Sequence, residues 1–303
     1  MKAKLLSASI LALSLAACTI DPSTTGGEGV AASILADIGN TPTRASGESW
    51  DAKDLIGIST FPGTKTDYTN VPYEWDGSKF NAGASPIYFQ SDEAVTFCAY
   101  YPYDAAGGTL SAVTDADAQK KPQSIDFLYA SGATADKTSP VVRFTGDEAF
   151  RHCMSQITLS FEEGDGMTFG GKLSAYSLKG LKLEGGFDSV NGVAQATSGT
   201  ADLVIALENA VTTGKKYTAS PVILFPQEVS DGKTALEVTV DGNVYRATLT
   251  LPDADGDGVK DNALRAGYNY KFPVRVSKKG LEIGTAEILP WNEVSGEASD
   301  AVM

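Results

Sequence analysis

The sequence predicts an all-β protein built from β-sandwiches, and three features carry that expectation. Apolar residues recur at every second position in several short runs, which is the period of a half-buried strand. Gly, Asp and Asn punctuate the runs, as tight turns require. No segment of ten or more residues places apolar side chains at i, i+3, i+4 and i+7, the spacing of an amphipathic helix. Many short strands joined by Gly-rich turns indicate packed sheets.

The elements follow in chain order. Val30, Ala32, Ile34, Ala36 and Ile38 alternate with other residues, predicting one half-buried strand that Gly39-Asn40-Thr41-Pro42 ends. Ser155–Phe161 puts Ile157, Leu159 and Phe161 on one face. Leu236–Val240 and Val244–Leu251 flank Asp241-Gly242, a hairpin turn because both residues tolerate positive φ. Tyr268, Tyr270, Phe272, Val274 and Val276 form a longer strand, and Lys278-Lys279-Gly280 turns it into Leu281–Ile283. Pro273 inside that strand predicts an edge or a bulge. The chain of 303 residues is long enough for two domains. The polar stretch from Thr145 to His152 places their boundary near residue 150, giving 45–150 and 151–303.

The beginning of the chain has the layout of a secretory signal. Lys2 and Lys4 precede an apolar run from Leu5 to Leu15, which is too short to span a membrane stably. Leu15-Ala16-Ala17-Cys18 resembles a bacterial lipobox, so residues 1–17 are expected to be removed and Cys18 acylated. Thr19 after the cysteine resembles lipoproteins sorted to an outer membrane, where the lipid would be the anchor. A Thr/Gly/Ser-rich tether follows to Gly29.

Removing residues 1–17 takes away two lysines and no acids, leaving 22 basic and 38 acidic residues and a net charge of −16. That excludes nucleic acid, which needs basic patches, and a polybasic membrane-surface mode. It suits a soluble, self-repelling extracellular surface. With Cys18 acylated, Cys98 and Cys153 are the only cysteines left with free thiols. They read as two buried free thiols rather than one bridge, because cysteine is buried readily even unpaired.

Catalytic chemistry finds little support. The single histidine, His152, precedes Cys153, but strand neighbours point to opposite faces and cannot easily share a hydrogen bond. No nucleophile elbow, P-loop or dinucleotide fingerprint is present, and zinc would need more His and Cys. The expectation is therefore no enzyme and no cofactor. The sharpest local motif is Asp253, Asp255, Asp257 and Asp261 around Gly256 and Gly258. It matches the opening of a calcium loop, but Leu264 stands where a bidentate glutamate belongs and no helices flank it. A weak structural Ca2+ site and a solvated acidic turn both remain open.

Several phrases together resemble the fimbrillin family, lipoprotein precursors of type V fimbriae in Bacteroidetes. They are Thr43-Arg44-Ala45 with Trp50 and Asp54–Ile58, Val95–Tyr103, Asp126–Ala130, Phe150–Ile157, Ala266–Tyr270 and Ile288–Trp291. The resemblance implies two transthyretin-like β-sandwich domains in tandem. It further implies cleavage after an arginine, with Arg44-Ala45 at the matching position. Cleavage would free the strand carrying Val30, Ala32, Ile34, Ala36 and Ile38. An unfilled groove invites another strand, and the C-terminal tail is the candidate donor, with Ile288, Leu289, Trp291 and Val294 for the groove. Cys153 and the acidic loop depart from the family pattern without disturbing this logic. The implied function is a structural subunit of a surface fimbria, partnered by other fimbrial subunits and serving adhesion. The alternative is a monomeric surface lipoprotein that binds glycans or host or bacterial surface proteins and retains residues 18–44.

Overall fold

A computed structural model describes residues 29–39, 49–197, 199–207, 215–253 and 261–291. Within them the chain forms strands and short 3₁₀ turns and no α-helix. The strands, in order, are β1 (Ser33–Ala36), β2 (Leu55–Thr60), β3 (Val71–Trp75), β4 (Phe80–Asn81), β5 (Val95–Tyr101), β6 (Thr109–Val113), β7 (Leu128–Ala135), β8 (Val141–Phe144) and β9 (Arg151–His152). There follow β10 (Ser155–Glu163), β11 (Leu173–Leu181), β12 (Glu184–Asp188), β13 (Val193–Ala196), β14 (Ala201–Ala206), β15 (Lys216–Thr218), β16 (Val222–Leu224) and β17 (Gln227–Glu228). The last are β18 (Lys233–Val240), β19 (Asn243–Thr250), β20 (Ala263–Leu264), β21 (Tyr268–Ser277), β22 (Gly280–Ile283) and β23 (Glu287–Pro290).

The first large sheet runs β8-β1-β4-β3-β2-β5-β7-β9. Its inward residues, among them Ile34, Ile56, Ile58, Phe97 and Phe144, close one core. Trp50 sits in that core with edge-on contacts to Phe80, Tyr101 and Phe150 at 5.0–5.6 Å, a favoured aromatic geometry. β5 is buried along both faces. Val95, Phe97, Ala99 and Tyr101 enter this core, while Tyr100 on the opposite face enters another.

A second core lies between the sheet β15-β10-β21-β22 and the sheet β14-β11-β18-β19. β10 and β21 are parallel, with Ile157 beside Tyr270, Leu159 beside Phe272 and Phe161 beside Val274. Two alternating sequences thus lay their apolar faces side by side, each large side chain adding about 1.5–3 kcal/mol on burial. Asp241 and Gly242 have φ of 53° and 75°, as the two-residue hairpin between β18 and β19 requires. The strand with Pro273 is not an edge. β21 pairs with β10 on one side and with β22 and β23 on the other. The proline is accommodated because the second partner changes there: residues 284–286 pass the two residues Phe272 and Pro273 between the β23 and β22 ladders.

Between these cores lies a third cluster containing Tyr100, Phe127, Met154, Phe187, Ile223 and Phe225. A three-stranded sheet, β13-β12-β6, spans it. Thr109–Val113 thereby pairs with Glu184–Asp188, far along the chain. Phe127 and Phe187 stack at 4.7 Å with planes 5° apart. The Gln119 side chain grips the Ile223 backbone, accepting from its N–H at 2.8 Å and donating to its carbonyl at 2.7 Å. Tyr129 donates to the Val190 carbonyl at 2.7 Å. The hairpin approaches so closely that a Cβ on Gly192 would lie 2.2 Å from the Tyr129 ring. Around residue 150 the chain is packed, with Ala149 and Phe150 buried.

Phe187→Ala removes the ring at the centre of this junction, where Phe187 is fully buried. It should lower the free energy of unfolding by about 3–5 kcal/mol, measured by urea denaturation of the full chain. A loss under about 1 kcal/mol would show that the junction contributes little.

Candidate functional site

The expected removable strand is wedged inside a sheet. Ala32, Ile34, Ala36 and Ile38 are buried, and Val30 is half-buried. The period-two pattern therefore faces the first core along its length. β1 runs parallel to β8 from Ser33–Val141 to Ala36–Phe144 and meets β4 in an antiparallel register at Ile34–Phe80. Backbone hydrogen bonds extend the pairing at both ends. Ala32 donates to Ile87 and Phe89 to Val30, at 2.8 and 3.0 Å. Asp37 donates to Phe144 and Gly39 to Phe150, at 2.9 and 2.8 Å. The Trp50 indole donates to the Ala36 carbonyl at 2.9 Å. Removing the strand would leave β8 and β4 without the partner between them and expose their apolar faces, the unpaired state that sheet edges are built to avoid.

Cys18, Arg44, Ala45 and Val294 lie outside the described residues. No helix among the described residues is long and apolar enough to cross a membrane.

The described tail residues are not in that groove but docked on β21 and at the junction between the two large cores. Ile288 and Leu289 belong to β23, which pairs antiparallel with β21, and Ile288 packs against the second core. Trp291 donates its N–H to the Gly267 carbonyl at 2.8 Å. Its ring stacks on His152 at 4.1 Å with planes 2° apart. The structure thus brings the tail onto the lone histidine, a pairing the sequence pattern gives no sign of.

His152 is held on its other side by Asp126, with Nδ1 and Oδ1 2.8 Å apart. Its Nε2 is buried and has no hydrogen-bond partner among the described residues. The Cys153 thiol is directed at the Arg151 carbonyl at 3.7 Å. His152 and Cys153 therefore form no nucleophile–base couple. Both Cys98 and Cys153 are buried free thiols. Burial pushes the Cys153 thiol up to about 12, with Asp126 adding to the rise. Burial also raises Cys98, and burial with the nearby Cys98 raises Tyr129.

Of the acidic motif, Asp253 is half-buried and Asp261 is buried and ion-paired with Arg265. Asp255 and Asp257 lie outside the described residues. Among the described residues no group of three or more His, Cys, Asp or Glu side chains is placed to hold a metal.

A family model described as fimbrillin-like matches residues 43–291. A protein of Bacteroides uniformis provisionally named fimbrium subunit Fim1C is 27% identical over 272 residues, covering 84% of this chain and 82% of its own. A crystal structure from Bacteroides ovatus, provisionally described as a cell adhesion protein, superposes with a TM-score of 0.71 at 27% identity, covering 87% of this chain and 98% of that one. A second, from Bacteroides uniformis and described in the same terms, gives 0.64 at 25% identity, with the same coverage.

The buried thiol makes stability sensitive to alkali. Folded Cys153 keeps its proton to about 12, against an ordinary value of 9.0. Above the ordinary value the unfolded chain releases a proton that the folded one retains, so stability falls as pH rises through that window. Tyr129, also raised, acts in the same direction. The urea midpoint should hold between pH 7 and 8 and fall from pH 9 upward, and Cys153→Ala should flatten the fall. A midpoint that stays constant from pH 9 to 11 would refute this.

Proposed function

Because this chain belongs to the fimbrillin-like family, we propose that it is a structural subunit of a cell-surface fimbria that exchanges its first strand for one from a neighbouring subunit. In this reading the two large cores are tandem transthyretin-like sandwiches, divided near residue 150. The chain is exported, acylated at Cys18 and held at the outer membrane until it is cut between Arg44 and Ala45. The fibre serves adhesion, in line with the cell adhesion descriptions of its structural relatives.

The observation that carries the proposal is the position of β1. It lies between two strands of its sheet, with four inward side chains buried in the first core. Arg44 lies between this strand and Trp50 in the sequence. After a cut there, the strand would be held by pairing and packing alone. Its departure opens a groove of unpaired backbone and apolar side chains, which an extended strand fills best. The donor is the C-terminal tail of another copy or a related subunit, using Ile288, Leu289, Trp291 and Val294. In this structure the first three are docked on their own chain, along one side of β21. Donation therefore requires β23 to peel from that ladder.

Full-length protein treated with an arginine-specific protease should yield a product beginning at Ala45 and convert from monomer to oligomers on size exclusion. Arg44→Ala should block both steps, and deleting residues 292–303 should reduce oligomers. Efficient polymerisation of Arg44→Ala with its first strand intact would overturn the mechanism. Separately, Cys18→Ala should abolish lipid labelling in cells; unchanged membrane attachment would overturn the anchor.

A further inference from the structure

The two exchanging ends of the chain meet on one short segment, Phe150 to His152. From one side comes the end of the first strand. Gly39 donates to the Phe150 carbonyl at 2.8 Å, and Phe150 donates to the Asp37 carbonyl at 3.0 Å. Ile38 and Phe150 form a parallel bridge. A second link runs through Trp50. Its indole donates to Ala36 at 2.9 Å, and its ring meets Phe150 edge-on at 5.0 Å. From the other side comes the tail, whose Trp291 stacks on His152 at 4.1 Å. The segment's strand partner is β7, where Leu128 opposes His152 and Tyr129 opposes Arg151, and its side chains also meet Phe144, Asp147 and Asp126.

We infer that Phe150–His152 couples the two ends, so that departure of the first strand loosens the C-terminal tail. When residues 37–39 leave, Phe150 loses two backbone hydrogen bonds and its bridge partner. The segment then keeps its pairing with β7, the Cys153 N–H bond to the Phe127 carbonyl and the His152 bond to Asp126, but it loses its support on the Phe150 side, and the base beneath Trp291 becomes less constrained. The stack is suited to release. It buries the His152 Nε2 without a hydrogen-bond partner, and that atom recovers water when the indole departs, which offsets part of the lost contact. The coupling gives assembly an order. A precursor with its first strand in place keeps its own tail docked, and the event that opens the acceptor groove also frees the donor. Coupling between sites acts equally in both directions, so loosening the tail must loosen the end of the first strand.

This inference rests on the proposed strand exchange for its purpose, but it is testable in the single uncut chain. Hydrogen–deuterium exchange, read by mass spectrometry on the full-length protein, should be compared for wild type, Ile38→Ala and Trp291→Ala. Ile38→Ala should speed exchange of residues 287–291 by about fivefold or more, the lower end of typical coupling. Trp291→Ala should speed exchange of residues 37–39 and 149–151 by a similar factor. Peptides from β18 and β19 report any general loosening and should not change. If Ile38→Ala unfolds the chain as a whole, the half-buried Trp291 supplies the deciding variant. Loosening at the mutated end with unchanged exchange at the other overturns the coupling. That outcome would leave polymerisation after Arg44 cleavage intact. Conversely, failed polymerisation with reciprocal exchange would reject the fimbrial assembly reading and keep the coupling.

Discussion

The pairing of β1 between β8 and β4 closes the first core, and much of the chain is arranged around it. The strand has no fold of its own. Its partners β4 and β8 come from well beyond it in sequence, so it can be ordered only once the rest of the sheet exists. Its hold is nonetheless considerable. Ile34 and Ile38 alone are 0% and 8% exposed, worth on the order of 5 kcal/mol together. A whole domain is stable by only about 5–15 kcal/mol. A sandwich that lost this strand would stand near its limit, and an extended replacement would restore both hydrogen bonds and burial. Most sheets protect an exposed edge with charge, proline or a covering loop. Here the vulnerable position is interior, covered by a piece of the chain's own beginning.

In the proposed strand exchange the remainder of the subunit must stay in place, and the junction between the two large cores would supply that rigidity. Its cluster contains none of the residues of the first strand. The Phe127–Phe187 stack, the Gln119–Ile223 clamp and the β6–β12 ladder join residues more than 50 positions apart without involving β1. Loss of the strand would therefore strike the first core directly and leave the stack, the clamp and the β6–β12 ladder of the junction in place. The buried thiols belong to the same design. Cys98 and Cys153 are unpaired, and burial raises both thiols, which disfavours the thiolate needed for exchange or oxidation.

Elements with one buried face were legible in the sequence, because period two is what one-sided burial imposes. Val30 to Ile38, Ser155 to Phe161 and Tyr268 to Val276 all read correctly for that reason. β6 and β13 did not. Thr109–Val113 and Val193–Ala196 leave Val113 and Val193 exposed, so their apolar residues do not sort by face, and their partner β12 is distant in sequence for one of them. Pro273 was legible in part. The local rule assigns a strand proline to an edge or bulge; the strand is not an edge, but three residues, 284–286, stand opposite Phe272 and Pro273 where the ladder changes partner. The tail residues were legible as apolar, yet their docking on β21 and His152 depends on where the sheet places residue 152. Cys18 and Arg44 are read from motif alone.

His152 is the platform on which the proposed coupling rests. Its carboxylate partner and buried ring would suit an acid–base role in an enzyme. Here Asp126 fixes one nitrogen, Trp291 covers the face, and the thiol beside it is directed away. What remains is a flat, well-oriented platform at the meeting point of the two large cores. A histidine held by a carboxylate loses little further rotamer freedom when an indole stacks on it, so the stack forms at low entropic cost. One aromatic contact of this kind is worth about 0.5–1.5 kcal/mol beyond its buried area. That is enough to keep a terminal strand seated while the sheet beneath it is intact. It is small against the several kcal/mol that the first strand contributes, so in the proposed exchange opening the first strand is the costlier step, although the coupling between the two ends is reciprocal. Under the proposed exchange, a tail held more tightly would stay with its own chain, and one held less tightly would stray before any groove was open to receive it.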